Sequence, residues 1–267
     1  MNRNCPLCDL DNSADAAARY SSDPWRIKYC DRCGFVYLEN PPNYDQLRKE
    51  WAWEKTLKLE RKRRRAAEPT FQRLARLTKW FRRYVKKRNK LGPLIRRYFS
   101  PGAVIDVGCG KGHWLRQMGE MGFIPSGVEI SDGLAAQALP HAVAFGGRVA
   151  RDNAVNGLDE FADGTFAGAT LVSVLEHESH PMQLLAKLYR KLKANGIMII
   201  KVPNFACWNR RIRGARWCGF RFPEHVNYFT PDTLREMIQR AKFKVIRFYA
   251  LDRFPLSDSM WMVCQAA

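Results

Sequence analysis

The second half of the chain alternates between two hydrophobic periods. Continuous apolar runs at 103–107, 124–129, 142–145, 169–174, 196–202 and 243–250 read as strands, and a last strand is expected at 260–265. Between them, near 112–121, 131–138, 181–193 and 231–241, apolar residues recur at helical three- and four-residue steps. Pro231-Asp232-Thr233 ahead of Leu234 reads as a helix start. Strands and helices in this alternation predict an α/β fold. We expect a doubly wound, seven-stranded, mostly parallel sheet with an antiparallel C-terminal edge.

The first hundred residues read differently. Leu57 and Leu59 sit among charges, then Phe71, Leu74, Thr78, Phe81 and Val85 mark a helical stripe. Gly92-Pro93 is expected to break it before Leu94, Ile95, Tyr98 and Phe99 resume it. Upstream, two Cys-x-x-Cys pairs lie among short apolar pieces, closed by Pro41-Pro42. Three units are therefore expected: 1–43, 44–98 and 99–267.

Charge sharpens that division. The net charge of +19 over 267 residues divides as −2 in 1–45, +16 in 46–98 and +5 in 99–267. The densest basic runs are 58–65 and 82–88. Such a segment is a solvated helical face, a membrane-surface helix over 58–98, or an RNA contact. We favour apolar packing as a lid over an acceptor site, with an anionic substrate or a membrane on the basic side. Trp51 and Trp53 would help close it. The N-terminus lacks the apolar core of a secretion signal, and no run of apolar residues is long enough to span a bilayer. A cytoplasmic protein, at most peripheral to the membrane, is expected, with its eight cysteines reduced or metal-bound.

Cys5, Cys8, Cys30 and Cys33 form two knuckles, with Pro6 and Gly34 assisting the turns. This spacing points to a tetrahedral thiolate zinc site. Redox Cys-x-x-Cys pairs are the alternative, but they usually occur singly at a helix start. Four thiolates close the coordination shell, so the zinc would be structural.

The most informative stretch follows the first strand of the third unit. Val104-Ile-Asp-Val-Gly-Cys-Gly-Lys-Gly112 is an apolar run ending in Asp106, then Gly108, Gly110 and Gly112 at alternate positions. Glycine leaves the backbone open to a nucleotide-like ligand at a strand-to-helix turn. Glu129 ends the next strand, where a carboxylate can accept two ribose hydroxyls. No Gly-Lys-Ser/Thr is present at the loop, which argues against a phosphate loop.

These residues resemble the first motif of class I S-adenosylmethionine-dependent methyltransferases. The resemblance continues through Leu171-Val-Ser-Val-Leu-Glu-His177 with His180-Pro181, through Leu192-Lys-Ala-Asn-Gly196, and through Pro223-Glu-His-Val-Asn-Tyr-Phe-Thr-Pro231. Phe166-Ala167 departs from the family's usual Phe-Asp. The resemblance implies a Rossmann-like sheet and S-adenosylmethionine as cofactor. The cofactor would be held by Asp106, Gly108, Gly110, Gly112, His113, Glu129 and Leu175, with Asp152 and Asn153 near the adenine. Asp159 and Asp163 compete for that last role.

Of five histidines, His225 is the expected base, with Glu224 beside it to orient it, stabilise its charge or contact substrate. The pair resembles one in sugar C-methyltransferases that also carry an N-terminal zinc module. His177 is expected to be structural or near the cofactor, and His141 and His180 read as loop residues. The implied acceptor is a small molecule or glycan, such as a nucleotide- or lipid-linked sugar. An RNA methyltransferase and a non-catalytic cofactor-binding assembly protein are the alternatives.

Overall fold

The computed structural model describes residues 2–49, 90–253, 255 and 257–266. The basic runs, Trp51, Trp53 and the stripe from Phe71 to Val85 lie outside the described residues. So do the lid, membrane and RNA readings of 58–98, except for its last turns.

In chain order, β1 (Ile27–Tyr29) and β2 (Val36–Leu38) form an antiparallel pair, followed by the short helix α1 (Tyr44–Lys49). Next is α2 (Leu91–Tyr98). Gly92-Pro93 lies inside its first turn, and the stripe that it is expected to end lies outside the described residues. Proline is tolerated there because the first amides of a helix have no acceptor within it. Then come β3 (Ala103–Val107), α3 (His113–Glu120), β4 (Ile124–Val128), α4 (Asp132–Val143), β5 (Val149–Ala150) and β6 (Phe166–Val172). The chain continues through α5 (Pro181–Lys191), β7 (Leu192–Pro203), α6 (Trp208–Arg213), β8 (Asn227–Tyr228), α7 (Pro231–Arg240), β9 (Phe243–Phe248) and β10 (Ser259–Ala266).

Seven of these strands form the expected doubly wound sheet, in the order β5-β4-β3-β6-β7-β10-β9. The strands alternate their side chains between two cores. Val104, Ile199, Trp261 and Val263 pack on one face with α2, α3 and α4. Ile105, Ile200, Met260 and Met262 pack on the other with α5 and α7. Helix α7 starts where expected: the Thr230 and Thr233 side chains cap each other's backbone amides, and Pro231 takes the first turn.

Two expectations need correction. The run 142–145 is not a strand. Its first two residues end α4, where Leu134, Ala138 and Ala142 continue a four-residue step and are buried. The third parallel strand is the two-residue β5. The antiparallel strand is also not at the edge: β10 inserts between β7 and β9, antiparallel to both. Burial explains the order. Residues 260–264 of β10 are all buried, as a central strand requires, whereas β9 exposes Lys244, Ile246 and Arg247 at the rim.

The cysteine-rich segment is knitted to the crossover after β7. Strand β8 adds to β2, completing a three-stranded sheet β1-β2-β8. Arg3 fastens the same junction: its guanidinium donates to the carbonyls of Leu38, Ser179 and Val226 and to the Asn227 side chain. Among the described residues no helix is long and apolar enough to cross a membrane.

Candidate active site

A cavity of about 620 Å³ opens at the carboxyl ends of β3, β4 and β6, where a doubly wound sheet binds its ligands. One end is the glycine loop. Gly110 has a φ of +56°, and a Cβ there would meet nothing within 4 Å, so its missing side chain leaves room open to a ligand. Gly108 also lines the wall. Gly112 does not. Its glycine is required by packing, since a Cβ would lie 2.7 Å from Ala138 Cα in α4.

Glu129 lies in the same wall, its carboxylate buried. Oε2 accepts from Gly110 N and Oε1 from Ser131 N, both at 2.9 Å. The acid thus ties the glycine loop to the end of β4 while facing the cavity. Asp152 and Asn153 line it as well. Asn153 Oδ1 accepts from the amides of Val155 and Asn156, which fixes the loop after β5. Their competitors lie elsewhere: Asp159 pairs with Lys187, and Asp163 with Lys191 at 2.7 Å.

Three further expected cofactor residues, besides Gly112, are not brought to the cavity wall. Asp106 is buried in the sheet, accepting from the Thr170 hydroxyl of β6. Burial pushes its carboxyl up to about 7, Thr170 pulling against the shift and Glu129 adding to it. His113, at the first position of α3, is exposed and pairs with Gln117 one turn along at 2.7 Å. Leu175 turns into the core, and its carbonyl is taken by Asn227 Nδ2. The cavity is lined instead by its neighbours Val174 and Glu176. A sequence pattern places a residue on an element but not on one side of it.

The other end of the cavity is built by the crossover. Glu224 and His225 both line it, buried, as expected. Their mutual arrangement differs from the expectation. The Glu224 carboxylate takes the guanidinium of Arg221 in a buried ion pair. His225 is oriented by a backbone carbonyl: its Nδ1 bonds Gly219 O at 2.8 Å. A carbonyl only accepts, so Nδ1 carries a proton, and in the neutral imidazole Nε2 keeps its lone pair. His177 repeats the device, with Nδ1 on Glu224 O at 2.9 Å. The two imidazoles meet edge to face, centroids 4.6 Å apart. Burial, aided by the Arg221 charge, drives His177 down to about 3, so it stays neutral through the physiological range.

Glu176 completes this end. Burial pushes its carboxyl up to about 7, and its Oε2 has no hydrogen-bond partner. Glu176, His177 and His225 each bring one ligand-capable atom within 4.8 Å of the others. The group can hold a proton or a divalent cation. Sequence reading missed Glu176 and undervalued His177. Their adjacency after β6 was the available signal.

Two further walls come from outside the sheet. Tyr44 and Leu47 of α1 reach the cavity. Tyr44 donates to Glu178, and Arg48 pairs with Asp132 at the start of α4. Lys201 of β7 contributes a cation.

The four cysteines of the N-terminal segment converge as their spacing predicts. Cys5 and Cys33 sulfurs lie 3.5 Å apart, and those of Cys8 and Cys30 lie 3.4 Å apart. These separations are too long for disulfides at about 2.05 Å. They approach the roughly 3.8 Å edge of a tetrahedron with zinc–sulfur bonds of about 2.3 Å. Each knuckle closes on itself, Asp9 N to Cys5 O and Gly34 N to Cys30 O. The donor set and its geometry fit zinc.

Residues 71–247 match the family model of a methyltransferase domain. A curated relative, the ubiquinone biosynthesis O-methyltransferase of Pasteurella multocida, is 24% identical over 199 residues, covering 65% of this chain and 81% of that protein. Two solved structures share the fold. A SAM-dependent methyltransferase from Archaeoglobus fulgidus has a TM-score of 0.51 at 19% identity, over 69% of this chain and 96% of its own. A geranyl diphosphate C-methyltransferase from Streptomyces coelicolor has a TM-score of 0.55 at 13% identity, over 68% and 80%.

Proposed function

Because the chain belongs to the methyltransferase-domain family and is an S-adenosylmethionine-dependent methyltransferase, we propose that it methylates a small molecule at a hydroxyl or an acidified carbon. A nucleotide- or lipid-linked sugar is the favoured acceptor. The observation that carries this reading is the orientation of His225. Its Nδ1 is fixed on Gly219 O in the cavity that also contains Gly108, Gly110 and Glu129. An amine attacks through its own lone pair, whereas a hydroxyl or an acidified carbon profits from a base.

When bound, the cofactor supplies a methyl group already activated on a sulfonium. The chain's own residues then have to bind, orient and accept a proton. Gly108 and Gly110 admit the methionyl part, the Glu129 carboxylate takes the ribose, and Asp152 and Asn153 border the adenine. His225 Nε2 accepts the acceptor's proton. Glu224 holds Arg221 and, through its carbonyl, His177. Lys201 meets negative charge on the acceptor. A nucleic-acid acceptor has less support, because Lys201 and Arg221 share the cavity with Glu176, Glu224 and Asp258. We assign zinc to the unit 1–43, a covering role to 44–98 and transfer to 99–267.

Titration calorimetry with S-adenosylhomocysteine tests the cofactor half. Wild type is expected to bind, and Gly110→Val to weaken binding by about 100-fold, or about 2.7 kcal/mol. No binding by wild type, or equal binding by the variant, defeats the assignment.

One observation favours a second reading of the acceptor end. Glu176 Oε2 is buried without a partner beside two imidazoles. A divalent cation there would ionise the acceptor hydroxyl directly. Activity lost to mild chelation at constant zinc content, and restored by magnesium or manganese, would select this reading. Unchanged activity selects the histidine base.

A further inference from the structure

Between Cys207 and Phe222 the chain holds Arg210, Arg211, Arg213, Arg216 and Arg221 and no acidic residue. Apolar side chains are exposed on the same segment: Trp208 is 50% and Ile212 83% exposed. Four residues apart on α6, they share one helix face. Arg211 and Arg216 are exposed beside them. Tyr29, 44% exposed, lies over the same region with its ring 6.3 Å from that of Phe205.

The base beneath is firm. Phe205, Trp217, Phe220 and Tyr228 form a buried aromatic cluster, and Arg210 stacks on Phe205 at 4.0 Å. The segment then turns inward, and Cys218, Gly219 and Arg221 line the catalytic cavity. One short stretch therefore presents an aromatic, an isoleucine and arginines outward, and cavity wall inward.

We propose that α6 and the following turn seat the protein on an anionic lipid bilayer, with Trp208 and Ile212 entering the headgroup boundary and the exposed Arg211 and Arg216 meeting lipid phosphates. Charge complementarity and continuity with the cavity carry the proposal. Tryptophan and aliphatic side chains beside arginine suit a membrane interface, where apolar area and charge act together. A nucleic acid would reward the arginines but not an exposed isoleucine. The surface opens a route for an amphiphilic acceptor to reach His225 from the lipid side. It differs from the basic segment 46–98, and its test does not depend on the acceptor.

The test is co-sedimentation of the full chain with phosphatidylcholine vesicles, with and without phosphatidylglycerol, at physiological salt. Wild type is expected to bind only the anionic vesicles. Ile212→Glu is expected to weaken that binding roughly tenfold, and the Arg211→Gln, Arg216→Gln pair to weaken it most at low salt. Because these residues are exposed, S-adenosylhomocysteine affinity and melting temperature should match wild type, which separates this test from that of the methyl-transfer reading. Equal vesicle binding by wild type and Ile212→Glu overturns the proposal. So does a changed oligomeric state in Ile212→Glu, which would assign the patch to a second copy. Loss of RNA binding with vesicle binding intact overturns it as well.

Discussion

His225→Ala is expected to lower kcat by about 10²- to 10⁴-fold, roughly 3–5 kcal/mol of barrier, with S-adenosylhomocysteine affinity within about twofold of wild type. Both halves follow from the site. His225 stands on the crossover, while the cofactor contacts are assigned to the loops after β3, β4 and β5. The imidazole has one nitrogen fixed on Gly219 O, so its loss removes an oriented proton acceptor without altering the glycine loop. Imidazole added to the variant should restore part of the rate, which a purely structural histidine would not allow. Glu224→Gln should behave differently. Its carboxylate partners Arg221 in a buried pair, and disturbing such pairs costs on the order of 3–5 kcal/mol of stability. The variant should lose melting temperature before it loses turnover. A His225→Ala enzyme turning over at the wild-type rate would remove the base.

Loss of the metal from the cysteine cluster is expected to unfold the N-terminal unit and carry the acceptor wall with it. The unit's own sheet has two strands of three residues, too little to stand alone in water. A structural zinc contributes about 10–16 kcal/mol at neutral pH in small metal-dependent domains, far more than such a hairpin supplies. Burial pushes the Cys5 thiol up to about 12, so a thiolate at that position gains from a bound cation. The damage should spread because β8 pairs with β2, and Arg3 bonds the carbonyls of Ser179 and Val226, which follow His177 and His225 closely in sequence. Wild type should carry about one zinc per chain. Cys8→Ser should lose it, become sensitive to proteolysis within 1–43, and lose methyl transfer more than cofactor binding. Native wild-type protein without zinc, its cysteines freely titratable, would contradict this account.

Legibility followed the range of the forces involved. The bounds of β3 were readable because a buried parallel strand is apolar throughout and ends where the glycines begin. Asp152 and Asn153 line the cavity although the third strand from which they were placed was itself misplaced. The stripe from Leu134 to Ala142 was divided between a helix and a strand, because a short apolar run has no unambiguous period. Position within the sheet was not readable from hydropathy order alone. It emerged from the burial of β10 on both faces.

The sequence by itself determined most strands and helices of the third unit, the glycine loop with Glu129, the fold class and the four-cysteine cluster. Each depends on local backbone freedom, a strict period or fixed spacing. Tertiary structure alone decided that His113 faces solvent, that Asp106 is taken by Thr170, and that Glu224 serves Arg221 while Gly219 orients His225. It also brought Glu176, His177 and His225 together from two separate segments. Those outcomes depend on which carbonyl or charge lies within about 3 Å of a side chain after packing. Hydrogen bonds at that range carry no signature in a one-dimensional pattern.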